Sequence, residues 1–170
     1  MAFDRTERRT FLSTIAGSLA ATTVAGTSGC LGTGEPDAET EPEPVVDEAD
    51  ALEGDTDPDA WQDVHDIQFD GWVGGWVGVE PAAIDRVENP MLVLFEGQAY
   101  ELTWQNRDGV HHNVAFWDDD REVVDGYATD GNEREGATET LRFEATPAID
   151  TYRCEYQPAG QVGDVEIVTE

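Results

Sequence analysis

Three histidines and two cysteines carry the side chains best suited to holding a metal: His65, His111, His112, Cys30 and Cys154. Cys30 closes an apolar run of small residues in T-S-G-C, where a lipoprotein signal is cut and its cysteine acylated. Cys154 is then alone. In an exported protein such a residue is a buried small hydrophobe, an intermolecular hazard or a thiolate ligand. A thiolate is a soft donor and an imidazole an intermediate one. Together they suit copper, and a trigonal plane of two imidazoles and one thiolate with a weak axial group is an electron-transfer geometry.

Other chemistries find less support. His65 sits in D-V-H-D, but short acidic runs are expected throughout so acidic a chain, and Asp118 to Asp120 read as solvated surface at a turn. No nucleophile stands with a base, no glycine loop is built to cradle phosphate, and no paired carboxylates can be placed together. The expectation is a protein that is not an enzyme.

The elements that must position these residues begin after a leader. Residues 5–30 carry the arginine pair Arg8 and Arg9, then Phe11 and Leu12, then a weakly hydrophobic stretch rich in Gly, Ser and Thr. This resembles a twin-arginine signal. The stretch is too short and too polar to span a bilayer stably, so residues 1–29 are read as a signal peptide. Lipidation at Cys30 would hold the mature chain at the outer face of the cell membrane.

Acidic residues number 38 against 9 basic ones, all arginine, for a formal net charge of −29. Self-repulsion on this scale is tolerable when molar salt shortens the Debye length to about 3 Å. The composition is that of a protein from a halophilic archaeon. It argues against nucleic acid as a partner, since phosphate binding depends on Lys and Arg contacts that release counterions.

Residues 30–60 are rich in Pro, Gly and acids and nearly free of large apolar side chains. They are expected to be a disordered tether that leaves one globular domain, residues 61–170. Within that domain the dominant period is two. Tyr100, Leu102 and Trp104 alternate with polar neighbours, as do Leu141 with Phe143 and Val165 with Ile167. Shorter strand candidates are 72–79, 91–95, 113–117 and 152–156, separated by turn signals such as N-R-D-G and T-D-G-N. Seven or so short strands without a helical stripe predict an all-β, Greek-key β-sandwich. The doublet G-W-V-G-G-W-V-G at 71–78 is too short for a structural repeat, and its tryptophans read as packing.

Two segments place a family on that sandwich. W-Q-N-R-D-G-V-H-H-N-V-A-F at 104–116 and T-Y-R-C-E-Y-Q-P-A-G-Q-V-G-D-V-E-I-V at 151–168 resemble the ligand-bearing parts of the cupredoxins, the blue-copper proteins that include plastocyanin and the halocyanins. The resemblance covers essentially the whole globular part. It implies that His112 and Cys154 are copper ligands and that Asn113 ties the two ligand segments together by hydrogen bonds. His111, one residue from His112 on a strand, should face away.

The family pattern C-x-x-H-P is altered here. Gln157 stands where the resemblance implies the second histidine, and Gln161 stands near the place of the axial methionine. A glutamine oxygen is an accepted axial replacement, whereas at an equatorial position it offers only a neutral, harder donor. Two functions remain open. One is a copper-binding electron carrier, a monomer serving a redox partner protein, whose ligands are His112, Cys154 and Gln161 with Gln157, a water or His65 completing the set. The other is a copper-free cupredoxin-like domain acting as a binding or structural module outside the cytoplasm.

Overall fold

A computed structural model describes residues 42–169. The leader, with Arg8, Arg9 and Cys30, and the first part of the expected tether lie outside the described residues.

Among the described residues nine strands form two sheets. They are β1 (Asp66–Trp72), β2 (Gly75–Glu80), β3 (Leu92–Phe95), β4 (Ala99–Asn106), β5 (Ala115–Trp117), β6 (Val123–Ala128), β7 (Thr138–Glu144), β8 (Thr151–Arg153) and β9 (Val162–Val168). One sheet has the order β2-β1-β4-β7 and the other β3-β9-β8-β5-β6. The chain passes from sheet to sheet between β2 and β3, β3 and β4, β4 and β5, β6 and β7, and β7 and β8, as a Greek-key sandwich requires. Pairing is antiparallel except for β1 with β4 and β3 with β9. Helix is confined to one turn, α1 (Pro58–Trp61), and a short 3-10 segment at Ala82–Ile84.

Alternation determines which side chains meet between the sheets. On β4, Tyr100, Leu102 and Trp104 are buried while Glu101, Thr103 and Gln105 are only partly covered. Ile67 and Phe69 of β1, Leu141 and Phe143 of β7, and Phe116 and Tyr152 of the opposite sheet fill the same core. Each such aliphatic or aromatic side chain contributes about 1.5–3 kcal/mol by leaving water.

The glycine doublet is a hairpin, not the single strand predicted over 72–79. Chain direction reverses at Val73 and Gly74, the latter at φ +108°, a conformation that favours glycine. Gly78 lets β2 run against the 3-10 segment, where an added Cβ would stand 2.0 Å from the Ile84 carbonyl oxygen.

The packed body also begins earlier than Trp61. Residues 42–60, read from the sequence as tether, lie against β2 and the segment that follows it. Val46 and Ala49 are buried with Val77, Asp50 N–H donates to the Arg86 carbonyl at 2.7 Å, and Ala51 bridges Val87. The carboxylate of buried Glu88 accepts the N–H groups of Val45 (2.7 Å) and Val46 (2.6 Å). Low apolar content misleads here because the segment is held chiefly by its backbone donors and acceptors, which composition does not record.

Candidate metal centre

The register of three strands brings the two ligand segments to one end of the sandwich. β5 and β8 are antiparallel with Ala115 opposite Arg153. The residues just before β5 therefore lie across from those just after β8. Asn113 closes this junction: its Oδ1 accepts the Glu155 N–H at 2.9 Å and its Nδ2 donates to the Glu155 carboxylate at 2.6 Å. From the other side, His112 forms a two-way backbone bridge with Asn132, 3.0 Å in each direction.

Cys154 is fully buried and unpaired. Its Sγ accepts the Gln157 N–H at 3.2 Å, and the backbone N–H groups of Asn113 and Tyr156 lie near it. Burial pushes its thiol pKa up. The His112 imidazole and those three N–H groups outweigh that and hold it below the ordinary thiol value. His112, fully buried as well, shows the converse balance. Burial lowers its pKa, but contacts with Cys154, Asp108 and Gln161 raise it above the usual histidine value. Beside each other, the histidine holds its proton more tightly and the cysteine releases its own more readily than either would alone.

Both His112 ring nitrogens face oxygen. Nδ1 lies 2.7 Å from Gln161 Oε1 and Nε2 lies 3.0 Å from Asp108 Oδ1. Trp76 and Trp104 wall the ring edge-on, with centroids 6.1 and 6.4 Å away. Gln161 is buried, and its Nε2 has no hydrogen-bond partner. The loop between Cys154 and Gln161 is a tight turn, in which the Gln157 carbonyl accepts from Gly160 N (3.3 Å) and Gln161 N (3.1 Å), while Cys154 N donates to Gln161 O at 3.0 Å.

His112, Cys154 and Gln161 thus converge, with Asn113 fastening their segments. Gln157 reaches the sulfur through its backbone N–H, and its side chain makes no hydrogen bond among the described residues. His65 does not join them. It lies beside Ala99 and Gln98 at the start of β4, and a rise of about 3.3 Å per residue puts the far end of that strand roughly 23 Å away. The idea that His65 completes the set fails because β4 runs the length of the sandwich between them. His111 faces outward, stacked on Tyr156 at 4.0 Å with Glu133 nearby.

Asp108 is the residue of this centre that sequence reading passed over. N-R-D-G reads as a turn signal, and a turn it is: Asn106 Oδ1 accepts the Gly109 N–H at 2.7 Å, with Gly109 at φ +73°. The D-x-x-x-H spacing was the available clue, because a loop that doubles back can return an aspartate to a histidine four residues on.

No family model matches the chain, and no curated protein does. Solved structures do. The chain is similar to blue-copper proteins of known structure. For reduced rusticyanin the identity is 14%, over 61% of this chain and 78% of that one, with a TM-score of 0.40. Auracyanin A, described as a "blue" copper protein from the green thermophilic photosynthetic bacterium Chloroflexus aurantiacus, is 12% identical over 61% of this chain and 98% of that one, TM-score 0.45. An oxidized variant of amicyanin is 22% identical over 64% of this chain and 89% of its own, TM-score 0.38.

The donors present suit copper in low coordination. Among the described residues no cluster of three or more His, Cys, Asp and Glu gathers. A buried cysteine sulfur and an imidazole are donors that Cu(I) would accept, and the Gln161 oxygen would add a weaker one. The unpartnered Gln161 Nε2 marks the polar side of the same space.

Proposed function

We propose that this chain binds copper through Cys154 and His112, with Gln161 as a weak axial group, and carries electrons to a partner protein at the outer face of the cell membrane. The observation that carries the reading is the meeting of a buried cysteine, whose Sγ accepts the Gln157 N–H at 3.2 Å, with a buried imidazole from a distant part of the sequence. Copper, when bound, supplies a one-electron couple. The chain supplies a centre that changes little with charge: Asn113 clasps Glu155, two tryptophans fix the imidazole edge, and the loop from 154 to 161 is closed on its own carbonyls. Burial keeps water from the sulfur and protects it from oxidation. Attachment to the membrane rests on the leader, with Arg8, Arg9 and the lipidated Cys30.

With Gln157 in place of an imidazole, the set favours the reduced ion. Chelator competition under reducing conditions tests this: the parent should retain Cu(I), and Cys154→Ser and His112→Ala should each lose it. The second reading, a copper-free binding or structural module, is favoured by one observation. The 2.7 Å contact between His112 Nδ1 and the Gln161 amide closes the centre on itself. A parent that cannot compete for Cu(I) at all would decide for that module.

A further inference from the structure

A neutral imidazole has one N–H, yet the His112 ring faces an oxygen at each nitrogen: Asp108 Oδ1 at 3.0 Å from Nε2 and Gln161 Oε1 at 2.7 Å from Nδ1. The two acceptors compete for one proton. A carboxylate accepts more strongly than an amide oxygen. This one is also immobilised, because Asp108 Oδ2 takes the Val73 N–H at 2.5 Å and Oδ1 takes the Val110 N–H at 2.9 Å. It is tied at once to the hairpin tip and to its own loop.

Gln161 supplies an independent observation. Its Nε2 is buried without a partner. Half a turn of the terminal amide exchanges oxygen and nitrogen, whose positions follow from the hydrogen-bond network. That turn brings the orphaned donor onto Nδ1. With the amide so turned, Nδ1 must carry a lone pair, which means that the ring proton is on Nε2. A single tautomer therefore satisfies the carboxylate and the stranded amide nitrogen together.

We propose that Asp108 is the positioning residue that keeps the His112 proton on Nε2 and leaves the bare Nδ1 facing Gln161. The inference deepens the reading of His112 as a ligand, since it determines which nitrogen is offered. Without the carboxylate, Gln161 Oε1 is the remaining acceptor and the proton moves to Nδ1, blocking that face. A carboxylate behind a ligating imidazole in this way orients the ring and raises its basicity.

The test uses the full chain in molar salt, labelled with ¹⁵N in histidine and free of metal, at a pH where the His112 ring is neutral. Long-range ¹H–¹⁵N correlation reads which nitrogen bears the proton. The parent should show Nε2–H, Asp108→Ala should show Nδ1–H, and Asp108→Asn, which preserves shape without charge, should lie between them. A parent ring protonated on Nδ1, or Nε2–H persisting in both variants, would overturn the proposal. If the alanine variant does not fold, judged by its amide spectrum, the asparagine variant carries the test.

Chelator competition for Cu(I) gives a second readout. Affinity should fall about 10- to 100-fold in Asp108→Ala. An unchanged affinity in a variant whose proton has moved would refute the role of Asp108 toward the metal. A parent that binds no copper would refute the ligand reading instead, and the ring spectrum would still decide the tautomer.

Discussion

Asn89 donates from Nδ2 to the carbonyl of Gly160 at 2.8 Å, and its Oδ1 accepts the Trp76 N–H at 3.0 Å. One side chain thus joins the loop that carries Gln157 and Gln161 to the strand whose tryptophan walls His112. Asn89 sits at φ +48°, where asparagine is tolerated better than most residues. The loop comes close to the hairpin tip as well, since a Cβ on Gly160 would stand 2.8 Å from the Gly74 carbonyl oxygen.

Asn89→Asp keeps the acceptor for Trp76 but removes the donor to Gly160 and sets a charge against its carbonyl. It should destabilise the fold by about 1 kcal/mol, the low end of the cost of a stranded acceptor, because this one is only part-buried. Denaturant unfolding in molar salt reads this directly. A loss below a few tenths of a kcal/mol would show that the bridge does not hold the loop.

Gln157→His should convert the centre. The Gln157 N–H already bonds the sulfur at 3.2 Å, so the new side chain starts from a backbone fixed beside Cys154. Copper binding should strengthen, and an intense sulfur-to-copper absorption should appear that Cys154→Ser abolishes. Loss of copper from this variant would mean that position 157 does not face the metal.

Glu88→Ala should free the N-terminal strap. Val45 and Val46 would each lose an acceptor, and the segment has few apolar side chains to hold it otherwise. Limited proteolysis of the parent should spare residues 42–53, while the variant should be cut there and retain a core beginning near Trp61. Equal cutting in both would remove Glu88 from its role as the anchor.

Asp70 carries the pH dependence most open to test. Burial raises its pKa, Arg107 opposes that, and Glu48 adds to the rise. A folded-state pKa above the unfolded value means that the native state prefers the protonated form. Stability from this group is therefore full at low pH and is lost as pH rises from the ordinary carboxylate value through the raised one. Asp70→Asn should stabilise the protein at neutral pH, with the gain vanishing in acid. A variant less stable than the parent at neutral pH would show that the Arg107 contact, 3.5 Å away, outweighs burial.

Strand alternation made most of the sandwich legible: Tyr100, Leu102 and Trp104, and likewise Leu141 and Phe143, stand in the core where period two puts them. β1 and β6 escaped that reading. Gly71 and Trp72 at the end of β1 were absorbed into the neighbouring glycine doublet, and β6 has the interrupted pattern V-V-D-G-Y-A with Asp125 and Gly126 at positive φ. At the centre, the spacing and types of His112 and Cys154 pointed to chemistry. Asp108 did not, because its contact depends on how a turn returns the chain. The strap was hidden for a related reason: a buried glutamate capping two backbone N–H groups leaves no mark on hydrophobicity.

X-ray absorption at the copper edge of the full chain loaded with Cu(I) reads the donor atoms themselves. The spectrum should show one sulfur and one imidazole at bonding distance and a coordination number of two or three, with the sulfur absent in Cys154→Ser. Retained copper surrounded only by nitrogen and oxygen, or an unchanged spectrum in Cys154→Ser, would contradict copper binding through Cys154.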